Sequence, residues 1–125
     1  YGNPSDEVVI KDTDMILLDS GGYFEGGWAT DTTRTFFADA TKKPHPKMKE
    51  IYTLVLNGTL ALQNAVFPPG TKGNVLDGYA RGPMRKMGYD YSHGTGHGVG
   101  LHVHEPGVGI STRSNLPMKE GQVVS

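Results

Sequence analysis

Between His93 and Glu105 the chain reads His-Gly-Thr-Gly-His-Gly-Val-Gly-Leu-His-Val-His-Glu, with glycine at 94, 96, 98 and 100. Alternate glycines remove side-chain contacts and raise the entropy lost on ordering, so this stretch does not hold a helix well and must lie where something approaches its backbone closely. Four of the five histidines fall inside these thirteen residues, and imidazoles on a bare backbone mark a candidate site. A phosphate-cradling loop needs G-x-G-x-x-G or G-x-x-x-x-G-K-[ST], and valine at 99 and leucine at 101 break both spacings. A zincin helix also sets two histidines four apart, but it needs glutamate after the first, where Gly94 stands. A metal-binding or catalytic cluster and a glycine-rich loop with incidental histidines both stay open.

The 125 residues are the size of one domain, which ordinarily buries roughly two thirds of its unfolded surface and builds a real core. Lysine plus arginine number 12 against 13 aspartates and glutamates, so there is no basic field to draw the chain to nucleic acid or an anionic membrane. No apolar run approaches the ~18 residues of a membrane span, and the opening Tyr1-Gly2-Asn3-Pro4-Ser5-Asp6 lacks signal-peptide character. A soluble, cytoplasmic protein is the expectation. The absence of cysteine excludes a disulfide framework, a thiol nucleophile and cysteine-ligated zinc, leaving histidines and carboxylates for any chemistry. Both ends read as cut: there is no initiator methionine, and Gly121 to Ser125 is strand-like, so a fragment of a longer protein is expected.

Along the chain, Asp12-Thr13-Asp14 reads as a turn and Met15–Leu18 as a short buried strand closed by Asp19. Glycines at 21, 22, 26 and 27 bracket Tyr23-Phe24-Glu25, and Trp28 to Phe37 alternates as a second strand, rich in threonine. A hairpin follows. With its turn centred on Glu25, residues whose numbers sum to 50 face one another, and Asp19 stands opposite Asp31. Opposed carboxylates destabilise a sheet unless they share a proton or hold a cation. A register shifted by one residue instead sends the two to opposite faces as ordinary polar strand ends, and pattern alone separates neither.

Thr41 to Pro46 is a polar connector with His45 as a solvated residue. From Lys47 to Val66 apolar positions 48, 51, 52, 55, 59, 62 and 66 follow one helical face, and Phe67-Pro68-Pro69-Gly70 stops the helix. Gly73 to Met87 repeats the pattern with Val75, Leu76, Tyr79, Ala80, Met84 and Met87 to one side, Pro83 kinking the helix or starting a new turn. Leu101 and Val103 alternate with His102 and His104, as in a strand with both imidazoles on one face. The loop from Gly107 to Pro117 carries Arg113, a solvated surface residue or an anchor for a carboxylate.

Five ordered segments then converge: Leu17-Leu18-Asp19-Ser20-Gly21, Thr30-Asp31-Thr32-Thr33-Arg34-Thr35-Phe36, Phe67-Pro68-Pro69-Gly70-Thr71-Lys72-Gly73, His93 to Gly100, and Val103-His104-Glu105. Together they resemble the metallopeptidases of the pita-bread fold, and among them the aminopeptidase P, or Xaa-Pro aminopeptidase, group. The resemblance implies an incomplete α+β pita-bread fold, a curved antiparallel sheet with two or more helices on its outer face. Residues 1–125 would be part of a metallopeptidase catalytic domain, without the amino-terminal domain and the carboxy-terminal part.

Carried over residue by residue, the resemblance implies that Asp19, Asp31 and His97 bind a pair of divalent ions, typically Mn2+, with Zn2+ or Co2+ as alternatives, and that the two carboxylates face each other. It makes His93 and His104 catalytic, gives Thr33 and Arg34 the task of supporting the ligating carboxylates, allows Arg113 a part in substrate binding, and leaves His102 without a counterpart. The aspartates are one residue further apart than in the family, implying a bulge around Gly26. Glu105 and Glu120 do not match the family's two glutamate ligands, which are expected after Ser125. The implied activity is hydrolysis of an amino-terminal Xaa-Pro bond by a metal-activated water, with a prolidase acting on Xaa-Pro dipeptides or a non-catalytic peptide- or partner-binding relative as alternatives. Implied partners are a peptide with proline at its second position and the complementary carboxy-terminal segment of the same protein, with a homodimer left open. The segment alone is expected to be inactive.

Overall fold

Gly26 and Gly27 both adopt left-handed backbone, φ 85° and 81°, a conformation that costs glycine little and other residues much. They place the first turn. The amide of Phe24 donates to the carbonyl of Trp28 at 3.0 Å and that of Gly27 to Phe24 at 2.9 Å, closing a loop of Glu25, Gly26 and Gly27. The computed structural model describes residues 3–125, and in it this turn joins β1 (Met15–Ser20) to β2 (Thr32–Phe37). The start of the chain at Tyr1 and Gly2 lies outside the described residues. The two strands are antiparallel with Asp19 opposite Thr33 and Ser20 opposite Thr32, so paired numbers sum to 52, not 50.

That corrects the expected register by two residues. The turn is centred on Gly26, not on Glu25, because the left-handed positions fall at 26 and 27. Asp31 lies beyond the start of β2 and is not directly opposite Asp19. A shift of two preserves the face of every side chain, since strand side chains alternate with period two. The ladder is regular, so the extra residue sits in the turn and not in a bulge.

Beyond the ribbon, α1 (Pro46–Gln63) and α2 (Gly73–Lys86) pack on each other, and β3 (Gly96–Gly98) pairs antiparallel with β4 (Glu105–Ile110). His45 is not simply solvated: its Nδ1 accepts from the amide of Lys47 at 3.2 Å and caps α1, with Pro46 in the first turn. The packed side of α1 runs through Ile51, Leu54, Gly58 and Ala61, whereas Tyr52, Val55 and Val66 of the expected face are exposed. Gly58 decides this. A Cβ there would stand 2.0 Å from the carbonyl oxygen of Ala80, so the helices cross where one has no side chain.

The buried stripe of α2 is Gly73, Leu76, Asp77, Ala80, Arg81 and Met84; Val75, Tyr79 and Met87 are exposed. The helix continues through Pro83 and ends with left-handed Gly88. The amide of Gly88 bonds to Arg85 and that of Tyr89 to Met84, the paired bonds of a Schellman ending. Leu76, Ala80 and Met84 meet Val108 and Ile110 of β4 to form the small buried core. Residues 101–104 are a bend and not the expected strand. No helix among the described residues is long and apolar enough to cross a membrane.

Candidate functional site

The alternate glycines explain how β3 is built. Side chains at 95, 97 and 99 share one face, and the bare positions form the other. A Cβ at Gly98 would meet Val108 at 2.5 Å and one at Gly96 the carbonyl of Ser125 at 2.7 Å, while one at Gly100 would press on Glu105 at 3.0 Å. What approaches this backbone is therefore the chain's own neighbouring strand and carboxy-terminal residues. His97 exchanges backbone hydrogen bonds with Ser125 at 2.8 and 2.9 Å and is opposite Gly109 of β4 on its other side, with a register break immediately after it. Its backbone is pinned from both edges.

This pinned imidazole meets the ribbon. His97 Nε2 stands 2.9 Å from Asp31 Oδ2, and the hydroxyl of Ser125 donates to the carbonyl of Asp31 at 3.1 Å. The amide of Ala29 also donates to the carbonyl of Gly100 at 2.7 Å, so the seam between the ribbon and β3 is stitched on both sides of the contact. His97 Nδ1 lies 3.0 Å from the carbonyl of Gly98. A carbonyl only accepts, so Nδ1 carries the proton there. Nε2 is then the nitrogen that faces Asp31, placed to share a cation with that carboxylate. A ring whose far nitrogen donates to a backbone carbonyl is the usual arrangement of a metal-ligating histidine.

Asp19, Asp31, His97 and His104 all line one open cavity of about 520 Å³ along this seam. The rings of His97 and His104 are 4.2 Å apart and inclined by 46°. Two carboxylates and an imidazole are the donor set of a hard or borderline divalent cation. Among the described residues, however, no three such side chains converge tightly enough to enclose an ion. The residues fit part of a divalent-ion shell and do not complete one among themselves.

The other expected residues separate. Thr33 lines the same cavity, but Arg34 is opposite Leu18, on the other face of the ribbon from Asp19, and cannot support that carboxylate. His102 lies outside the cavity; its amide donates to Glu105 at 2.9 Å. His93 does not join the carboxylates. It stacks on Tyr91 with ring centroids 4.8 Å apart and lines a second cavity of about 570 Å³ together with Arg85, Asp90 and Arg113. Gly94 borders both cavities, so His93 and Arg113 are neighbours of the carboxylate site, one glycine away.

Sequence reasoning missed the group beneath that second cavity. Asp77 and Arg81 are 1% and 3% exposed, and Arg81 Nε donates to Asp77 Oδ2 at 2.8 Å. Burial disfavours the Arg81 charge, but hydrogen bonds from Arg81 to Asp90 and Asp77 and the field of the nearby Tyr91 and Asp77 outweigh it and raise its pKa. Asp90, which accepts from Arg81 at 2.7 Å and from Arg85 at 2.9 Å, is held down to about 2 by Arg81 first, then Arg85 and the amide of Tyr91. The available signal was an acidic and a basic residue four apart on the stripe of Leu76, Ala80 and Met84.

Comparison with known proteins bears on the family and the fold. The chain is 45% identical over 128 residues to a probable Xaa-Pro aminopeptidase P of Laccaria bicolor, which spans 98% of this chain and 19% of that protein. In structure it is similar to an Xaa-Pro dipeptidase of Bacillus anthracis, with a TM-score of 0.83 at 36% identity over 95% of this chain and 32% of that one. It is likewise similar to an X-prolyl aminopeptidase of Caenorhabditis elegans, described as a cytosolic enzyme with a di-nuclear active site, with a TM-score of 0.80 at 40% identity over 90% of this chain and 18% of that one. The chain thus spans about a fifth of the first relative and a third of the first structure, and its strands and helices are an incomplete pita-bread fold. Matched from residue 1 to residue 125 by the family profile for Metallopeptidase family M24, the chain belongs to that family.

Proposed function

We propose that the protein containing this segment is a metallo-aminopeptidase that removes an amino-terminal residue preceding proline. The observation that carries the reading is the 2.9 Å approach of His97 Nε2 to Asp31, with Asp19 and His104 on the walls of the same cavity. Asp19, Asp31 and His97 would hold two divalent ions, Mn2+ being the first choice and Zn2+ or Co2+ the alternatives. Such a pair, when bound, supplies Lewis acidity that polarises a carbonyl and makes water nucleophilic at neutral pH. His104, packed against the His97 ring, is suited to donate a hydrogen bond to charge developing on the reacting carbonyl. The peptide would enter along the open cavity.

A prolidase reading is favoured by one observation. His93, Arg85 and Arg113 line a cavity that adjoins the carboxylate site at Gly94, and an arginine there suits the terminal carboxylate of a dipeptide. To decide, the full-length protein is stripped of metal, reloaded with Mn2+ and offered Xaa-Pro dipeptides and Xaa-Pro-Xaa tripeptides. Release of the first residue from tripeptides is the expected result. Turnover confined to dipeptides, with KM rising in Arg113→Ala, would establish the prolidase instead. No turnover of either at full metal loading would refute both.

A further inference from the structure

We infer that Arg81, acting with Asp77 and Tyr91, is a positioning device that sets where His93 and the approach to His97 stand. Its kinetic test rests on the peptidase reading above, but its spectroscopic test does not. Residues 91 to 94 belong to no helix or strand, and glycines at 94 and 96 give the backbone little of its own to hold it. Yet His93 lines one cavity and His97 the other, so this segment must be held from outside.

Arg81 does the holding. Four of its five N–H groups are engaged: Nε by Asp77 at 2.8 Å, Nη1 by Asp90 at 2.7 Å and by the carbonyl of Tyr91 at 2.5 Å, and Nη2 by the carbonyl of His93 at 2.5 Å. The free oxygen of Asp77 accepts from Thr95 Oγ1 at 2.6 Å, and that hydroxyl meets the Tyr91 hydroxyl at 2.6 Å. The guanidinium also sits over the Tyr91 ring at 3.8 Å, and the same ring carries the His93 imidazole at 4.8 Å. A buried charge is retained at a loss of stability unless it is fully paired. Here the pairing spans residues 91, 93 and 95 in turn, along the segment that leads into β3. Arg81 bonds to Asp77 and Asp90 but to neither Asp19 nor Asp31, so its effect on chemistry would pass through His93 and the residues after it.

The test uses the full-length protein labelled with 13C and 15N in histidine, loaded with diamagnetic Zn2+ for the spectra and with Mn2+ for the kinetics. Tyr91→Leu leaves the ion pair in place but removes the ring between Arg81 and His93. It should move the His93 ring resonances, through loss of the Tyr91 ring current, and lower kcat on an Xaa-Pro peptide by on the order of 10–100-fold with bound metal unchanged. Tyr91→Phe should restore the resonances. Arg81→Lys keeps the charge but lacks the planar fork that reaches two carbonyls at once, so it should broaden the His93 signals and lower kcat; should it fail to fold, Tyr91→Leu decides alone. If wild-type protein hydrolyses no Xaa-Pro peptide, the peptidase reading fails while the His93 resonances still decide this one. Folded Tyr91→Leu with wild-type His93 resonances would overturn it.

Discussion

His97 is where the two parts of the candidate site meet, and its neighbours suit it to a task different from the one proposed for His104. The Nε2 of His97 points at Asp31 with its other nitrogen committed to a carbonyl, whereas His104 is an exposed ring beside it. His97→Ala in the full-length protein should therefore weaken metal binding by more than the roughly 10–100-fold that loss of a supporting contact produces. His104→Ala should retain metal and lower kcat by about 10²–10³-fold. Metal content by mass spectrometry beside steady-state kinetics separates the two, and equal metal loss in both variants would reverse the assignment. A second residue-scale effect belongs to Asp90. Its carboxyl titrates at about 2 in the folded chain, against roughly 3.9 unfolded. The depressed value means that the unfolded state takes up the proton first, so the contribution is complete above about pH 4 and lost as pH falls towards 2. Asp90→Asn should flatten the dependence of unfolding midpoint on pH in that window, measured by thermal melts. An unchanged slope would show that Arg81 and Arg85 do not hold the carboxylate in solution.

Among the elements, the helix pair shows how a missing atom outweighs an apolar pattern. Large apolar side chains point to a face of α1 through Tyr52 and Val55, yet the helices cross at Gly58 and leave those two 46% and 45% exposed. With no Cβ, Gly58 lets the carbonyl of Ala80 approach the helix axis, and closer axes bring more atoms of α2 into contact. Gly58→Ala should force the helices apart and destabilise the full-length protein by about 1–3 kcal/mol, where glycine to alanine on an open helix face stabilises. Gly78→Ala is the control, because nothing lies within 4 Å of a Cβ there. Chemical denaturation of both variants tests this, and a stabilised Gly58→Ala would contradict the close crossing.

The whole chain carries more surface than its mass requires. Its accessible area is 9411 Å², whereas a compact protein of 13.5 kDa would expose roughly 6,500 Å², and folding buries only about half of the extended-chain area instead of the two thirds expected from length. Leu17, Leu18, Trp28, Tyr52 and Leu60 are among the large apolar side chains left exposed, and surfaces of that kind cover partners or aggregate. The 125-residue chain expressed alone should accordingly be inactive on Xaa-Pro peptides. It should elute from a sizing column with light scattering as aggregate, or as a complex when the complementary carboxy-terminal segment is co-expressed. A monodisperse isolated chain that hydrolyses the peptide with added Mn2+ would refute this.

Within that molecule, local chemistry was legible from residue types alone. The first strand, though not its expected burial, both helices, the stop at Phe67 to Gly70 and the bare backbone of residues 94 to 100 follow from periodicity, proline and glycine, because each depends on neighbours a few positions away. The carboxylate and histidine motifs were legible for the same reason, as short ordered strings. What only the tertiary structure decided were long-range and conformational matters. Two left-handed glycines moved the hairpin register from 50 to 52, Gly58 turned α1 onto a different face, and a buried Asp77–Arg81 pair appeared where an apolar stripe was expected. The same holds for the separation of His93 from His97 into adjoining cavities. The two are four residues apart in sequence, but Arg81 and Tyr91 hold one, Ser125 and Gly109 flank the other, and none of those contacts is encoded in the spacing of the histidines themselves.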